Sequence, residues 1–175
     1  MIEASFLKLI KGKSFGPIKI GDEKEHIIQS LGQPDGFSNP DFNPAYYDAI
    51  LYDRFEFNFR QDKLNSISNS YILNWNTNWK FNRNFHYQNN NFKVTSWFKK
   101  PSRDTQLESV KAKLEQENIA YFESVFYDSI KLNIGKDFEL LFSSKVSYHK
   151  DPDEWTKINP KILDWRLSGF HLVDN

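Results

Sequence analysis

Two glutamates in this 175-residue chain occupy the kind of position where paired carboxylates would be sought. Arg54-Phe-Glu-Phe-Asn-Phe59 and Asp137-Phe-Glu-Leu-Leu-Phe142 each set one acid, Glu56 and Glu139, between apolar strand residues. Two carboxylates converging on one bond can divide the acid and base roles of glycoside hydrolysis. Alternation gives a plainer outcome. Phe55, Phe57 and Phe59 share one face of a strand, so the acids project from the opposite face, where charge is expected.

The four histidines, His26, His86, His149 and His171, offer no second chemistry by spacing. None stands four residues from another, the spacing that brings two imidazoles onto one metal. His26 lies beside the apolar stripe of a helix and reads as a structural or surface residue. His149, in Tyr-His-Lys-Asp, can reach Asp151 or Asp153 in a polar turn. There is no cysteine, hence no thiol nucleophile, thiolate metal site or disulfide. No nucleophile elbow, P-loop or dinucleotide fingerprint occurs, and seven glycines leave little material for a phosphate cradle. The expectation is a protein without enzymatic activity, metal or cofactor.

The most unusual stretch is aromatic and Asn-rich. Residues 71–98 include Trp75, Trp79, Phe81, Arg83, Tyr87 and Trp97 among many asparagines. Trp, Tyr and Arg dominate interface energetics, so these six are candidate partner-binding residues. Trp75, Trp79 and Phe81, with Lys80 and Arg83 supplying charge, could instead stack on sugars or bases. A third reading is a connector whose aromatics complete the core. Asp151 and Asp153, beside Trp155, form a second candidate contact.

Sixteen Phe, five Trp and eight Tyr supply a core, and a chain of this size buries roughly 70% of its unfolded surface. Lys plus Arg and Asp plus Glu are both 23, which argues against general nucleic-acid binding, since phosphate neutralisation needs a basic excess. The opening residues carry Glu3, and Lys8 breaks their apolar run, unlike a secretory signal. No window is long and apolar enough for a membrane helix. The expected location is the cytoplasm, with no membrane partner. No motif specifies an oligomeric state.

The elements that must position these residues follow from punctuation and period. Phe15–Ile20 reads as a short strand. Asp22 and Glu25 match a capping box ahead of a helix to Leu31, striped by Ile27, Ile28 and Leu31 and stopped by Gly32 and Pro34. A loop spans 37–48. An alternating hairpin follows at 54–71, with Arg60–Lys63 as its turn. Phe92–Phe98 suggests another strand. Leu107, Val110 and Leu114 mark a second helix, capped by Ser102 or Asp104 and ending near Asn118. Strands are expected at 120–126, 129–134 and 138–146, with a turn at Gly135–Asp137, then two short strands, 162–167 and 170–173, separated by Gly169.

A constant offset of 83 residues lays Ile27 on Val110, Leu31 on Leu114, and 55–59 on 138–142. The expected fold class is therefore α+β: two tandem helix-plus-antiparallel-sheet units packed as one compact protein on a shared or continuous sheet. The first unit would span 1–73, an aromatic and Asn-rich connector and strand 74–102, and the second unit 103–175.

Ile18-Lys-Ile-Gly-Asp-Glu-Lys-Glu-His-Ile-Ile-Gln-Ser-Leu-Gly-Gln-Pro-Asp35, followed by a Phe-rich hairpin, resembles a class of small bacterial helix-plus-hairpin modules. These include the SmpA/OmlA-type outer-membrane assembly lipoproteins, the tandem-repeat β-lactamase inhibitor protein and immunity-type proteins encoded beside toxins. The chain shows neither the lipobox cysteine of the first nor the cysteines of the second, and it is most similar to the intracellular immunity type. The resemblance implies binding to a cognate toxin or enzyme through a sheet face or loops, with inhibition by occlusion. The alternative is a glycan- or nucleic-acid-binding module built on 71–98.

Overall fold

Alternating apolar residues dominate the chain, and the computed structural model turns most of them into one sheet. It describes residues 1–38, 48–69, 88–95, 105–126, 129–144 and 165–173. In chain order the elements are β1 (Ile2–Ser5), α1 (Phe6–Gly12), β2 (Ser14–Phe15), β3 (Ile18–Lys19), α2 (Lys24–Leu31), β4 (Gly36–Ser38), β5 (Asp48–Tyr52), β6 (Phe55–Arg60) and β7 (Lys63–Asn69). They continue with β8 (Phe92–Thr95), α3 (Leu107–Gln116), β9 (Phe122–Phe126), β10 (Ser129–Ile134), β11 (Phe138–Ser144) and β12 (Trp165–Val173).

Eight strands form an antiparallel sheet in the order β4-β5-β6-β7-β12-β11-β10-β9. The first four strands and the last four are each a meander, and the meanders meet where β7 pairs with β12, Ser66–Asn69 against Phe170–Val173. The expectation of two tandem helix-plus-sheet units is overturned. Strand predominates among the described residues, the helices are short, and the sheet is a single eight-stranded one. Positions 27, 31, 110 and 114 are all buried, but amphipathic pattern alone dictates that.

The core lies on one face of the sheet. Phe55, Phe57 and Phe59 point into it from β6, Phe138, Leu140 and Phe142 from β11, and Phe170 and Leu172 from β12, all buried. Phe15 meets Phe57 and Phe92 edge-on at 5.2 and 5.8 Å, and Tyr52 meets the same two rings at 5.5 and 5.2 Å. A second aromatic group joins Phe6, Phe138 and Phe170, with Phe138 and Phe170 stacked at 5.7 Å. Phe55 bridges the two groups, 6.2 Å from Phe170. Edge-on and offset rings satisfy the aromatic quadrupole and contribute about 0.5–1.5 kcal/mol per pair beyond area burial.

The helices cover this core. Phe6, Leu9 and Ile10 bury one side of α1, at helical spacing, while Lys8 and Lys11 alternate between them. The capping box expected at Asp22 and Glu25 is not formed. The Asp22 carboxylate instead accepts the Lys19 N–H at 2.8 Å, closing the turn after β3, and Glu23 takes the cap position of α2. The strand expected at 15–20 is a small hairpin of β2 and β3, broken at Gly16 and Pro17. The start of α2 is tied to the sheet by Gly21 N–H to Leu64 O, Leu64 N–H to Asp22 O and Lys24 N–H to Asp62 O, each 2.8–2.9 Å. At its far end Gly32 has φ +90°, and a Cβ there would lie 2.4 Å from Asn91 Nδ2. The Tyr52 hydroxyl donates to Gly32 O at 2.7 Å.

Two further expectations change. Among the described residues β8 joins no part of the main sheet and pairs in parallel with β1. The two tail strands are one strand, β12, which runs through Gly169 with Ser168 as the extra residue of a bulge against β11.

The turn between β6 and β7 holds Gln61 at φ +52° and Asp62 at φ +60°. Left-handed backbone at both central positions matches the twist of a hairpin but costs side-chain-bearing residues about 1 kcal/mol each. Asp62→Gly should raise unfolding free energy by about 0.5–1 kcal/mol, read from urea melts. Phe170→Ala removes the ring through which the second aromatic group meets Phe55 and should lower it by about 3–5 kcal/mol.

Candidate functional site

The face of the sheet opposite the core is built by the same alternation that fills the core. A single row of paired residues crosses all eight strands there: Gly36, Leu51, Glu56, Ser68, His171, Glu139, Asn133 and Phe122. The middle of that row is polar and half-buried to buried. It places two carboxylates, a hydroxyl and an imidazole on the four central strands.

Each of these groups has a defined electrostatic setting. The Ser68 hydroxyl donates to a Glu56 carboxylate oxygen at 3.3 Å. Lys131, two residues before Asn133 on β10 and so on the same face, forms an ion pair with Glu139 at 2.9 Å. The Asn133 amide donates to Phe122 O at 3.1 Å and Ser124 Oγ at 2.9 Å, fixing β9 to the row. His171 lies between the two carboxylate-bearing strands. Burial pushes its imidazole pKa down, with Lys131 adding to that and Glu139 and Glu56 opposing it. The net shift is downward, so the ring is neutral near pH 7.

The geometry decides what this row can do. Glu56 and Glu139 do stand on the face opposite the phenylalanines. They are separated by three strand spacings, roughly 14 Å at about 4.8 Å each. Carboxylate pairs that cleave glycosides stand about 5–9.5 Å apart, so the paired-acid reading fails on distance. Ser68, His171 and Glu139 are the residue types of a nucleophile, base and orienter. Yet the Ser68 proton is turned to Glu56, and the backbone N–H groups of these strands serve the sheet ladder and not an oxyanion. What remains is a broad surface of locally compensated charge.

Bulges disturb the ladder at two places flanking this row, between Asn58 and Phe59 and between Leu141 and Phe142. A bulge bends its strand and increases twist. Ser168, the extra residue of the second bulge, donates to Leu141 O at 3.1 Å and accepts from Ser143 at 3.0 Å. The hydroxyls thereby satisfy the backbone that the bulge leaves out of register.

A shallow cleft of about 710 Å³ lies elsewhere, along α2 and the β6–β7 turn, lined by Glu23, Lys24, Glu25, Gln61, Asp62 and Lys63 among others. Its charges are mixed and Lys24 is paired with Asp48 and seated against the Phe37 and Phe59 rings. Among the described residues no His, Asp and Glu side chains gather into a group that could hold a metal ion. No helix among them is long and apolar enough to cross a membrane.

All nine candidate contact residues read from the sequence, Trp75, Trp79, Phe81, Arg83, Tyr87, Trp97, Asp151, Asp153 and Trp155, lie outside the described residues, as do Lys80, His86 and His149. His26 is exposed on α2. Ser68 and His171 were missed because their significance depends on β7 meeting β12 across about a hundred residues of sequence, a pairing no local pattern announces. Comparison with protein-family models, curated proteins and solved structures returns no match.

The lowered His171 pKa gives a signed pH dependence. Above the ordinary value of about 6.5 the ring is neutral in both folded and unfolded chains. As pH falls through that value toward the lower folded one, the unfolded chain takes up the proton first, so stability is lost. Urea midpoints compared at pH 7.5 and below 6 should show this loss, and His171→Gln should reduce it.

Proposed function

We propose that this chain is a protein-binding inhibitor, an immunity-type protein that neutralises a cognate toxin or enzyme in the cytoplasm by covering its working surface. The observation that supports this reading is the polar row Glu56–Ser68–His171–Glu139 on the non-core face of the eight-stranded sheet. Eight strands at about 4.8 Å spacing make that face roughly 34 Å wide, and strands of about six residues make it roughly 20 Å tall. The product is close to the ~800 Å² that one partner contributes to a standard specific interface.

The chemistry of the face suits occlusion. Glu56 and Glu139 already hold their hydrogen-bond partners in the free protein. Pre-set side chains lose little rotamer freedom on binding, which lowers the cost of association. The neutral His171 between them adds a ring that can pack or hydrogen-bond without a charge to desolvate. Inhibition of this kind needs no bond to be made or broken by the inhibitor. It requires a rigid surface, and the sheet's ladder supplies that.

The experiment is co-expression with the product of the adjacent gene, followed by pull-down and a growth assay. A stable complex that restores growth is expected. Glu56→Lys combined with Glu139→Lys should weaken the complex tenfold or more, about 1.4 kcal/mol, with the fold retained by circular dichroism. No complex together with unrelieved killing would falsify the reading. Unchanged affinity in the double variant would move the contact away from this face.

A further inference from the structure

The two edges of the eight-stranded sheet are built differently. β4 is three residues long, with prolines at 34 and 40 in the flanking sequence. β9 is five residues, Phe122-Glu-Ser-Val-Phe126, without proline, lysine or bulge. It pairs with β10 along one edge and, among the described residues, with no strand along the other. Phe122 is 70% exposed and Val125 76%, two of the most exposed large apolar residues described. Natural edge strands are usually blunted by shortness, proline, lysine or bulges. β4 is blunted in this way and β9 is not.

The charge on β9 has been taken out of play within the chain. Glu123 is the strand's only ionic residue, and its carboxylate is 2.6 Å from Lys111 Nζ on α3. Burial alone would lower the Lys111 ammonium, but the hydrogen bonds it donates to Glu123 and Glu108, with the attraction of the two carboxylates, outweigh that and hold the pKa above its ordinary value. Glu123 is therefore a compensated group. Asn133 ties the strand to β10 by donating to Phe122 O and Ser124 Oγ.

The sequence of β9 is compatible with itself in reverse. With Ser124 placed on a two-fold axis, position 122 faces 126 of the mate, Glu123 faces Val125 and Ser124 faces Ser124. No like charges stand directly opposite, and the two glutamates fall on the diagonal, each neutralised by its own Lys111. Moving the axis to Glu123 would set two carboxylates face to face, and moving it to Val125 would shorten the pairing. A two-fold axis normal to the sheet is the symmetry of an isologous dimer and generates antiparallel strands.

We infer that a second copy of this chain pairs antiparallel along β9, with Ser124 on the two-fold axis, to form one continuous sixteen-stranded sheet. The main-chain ladder supplies attraction, and the position of Glu123 sets the register. The proposal concerns the sheet edge and is independent of what the sheet face binds.

The test is the mass of the purified full chain by light scattering and sedimentation over a dilution series. A dimer of twice the 20.8 kDa chain is expected at high micromolar concentration, dissociating on dilution. Val125→Lys and, separately, Phe122→Lys should give monomers with unchanged thermal melts, because both side chains are exposed in the free chain. Phe37→Ser at the opposite edge should leave the dimer intact. Amide exchange at 122–126 should slow with concentration in the wild type alone. A wild type that stays monomeric at the highest concentration overturns the proposal, as does a dimer that survives both lysine substitutions.

Discussion

Four residue pairs hold the two meanders together. The β7–β12 ladder, Ser66–Asn69 against Phe170–Val173, is the one contact that makes eight strands a single sheet. Its apolar side is Phe170, whose ring touches Phe6 from α1, Phe55 from the first meander and Phe138 from the second. Its polar side is the neighbouring pair Ser68 and His171. The same short join therefore unites the aromatic core on one face and assembles the polar row on the other. A residue shift of one in this register would exchange the faces of β12, burying His171 and exposing Phe170. The fully buried Asn69 opposite Phe170 sits at this join, and a polar side chain in such a place penalises other registers.

The face away from the core shows how charge is managed on a sheet. Lys131 with Glu139, Ser68 with Glu56 and Asn133 with the β9 backbone are local solutions, each made within one or two strands. The helix side uses the same device, with Lys111 shared between Glu108 and Glu123 and Glu117 held between Lys11 and Lys113. Ion pairs near the surface contribute little stability singly. Their consequence is a surface with small net field and defined donors and acceptors, suited to recognition by shape and hydrogen bonding more than to long-range steering.

Short-range structure was legible in the sequence, and long-range pairing was not. Strict alternation at 55–59 and 130–134 gave strands β6 and β10 in the right place and with the right face inward. The stripe Leu107, Val110 and Leu114 gave α3, and Asn118 its left-handed exit at φ +54°. α1 escaped because Phe6, Leu9 and Ile10 fill barely two turns, too short a window for a period to declare itself. Gly169 looked like a strand breaker, yet β12 passes through it, the bulge at Ser168 absorbing the irregularity. Nothing local to Phe92-Lys-Val-Thr95 specifies a parallel partner at the first residues of the chain. The polar row was half visible: alternation put Glu56 and Glu139 on the correct face, but their distance and the histidine between them are properties of strand order. The expectation of separate units failed for the same reason. Equivalent patterns at an offset of 83 residues say which faces are apolar and leave open which edges meet.

The order of strands also has a history within each molecule. β7 and its partner β12 are about a hundred residues apart in sequence, while every other neighbour in the sheet is the next strand of that sheet along the chain. A ribosome adds roughly 5–20 residues per second, so the first meander waits on the order of 5–20 s with the β7 edge unpaired before its partner is synthesised. During that interval the strand that will become the centre of the sheet is an edge. Its serines, Ser66 and Ser68, keep the non-core side of that temporary edge hydrophilic, and Asn69 interrupts the apolar side after Leu64 and Ile67. Side chains that look incidental in the finished sheet thus leave that edge less apolar while it waits.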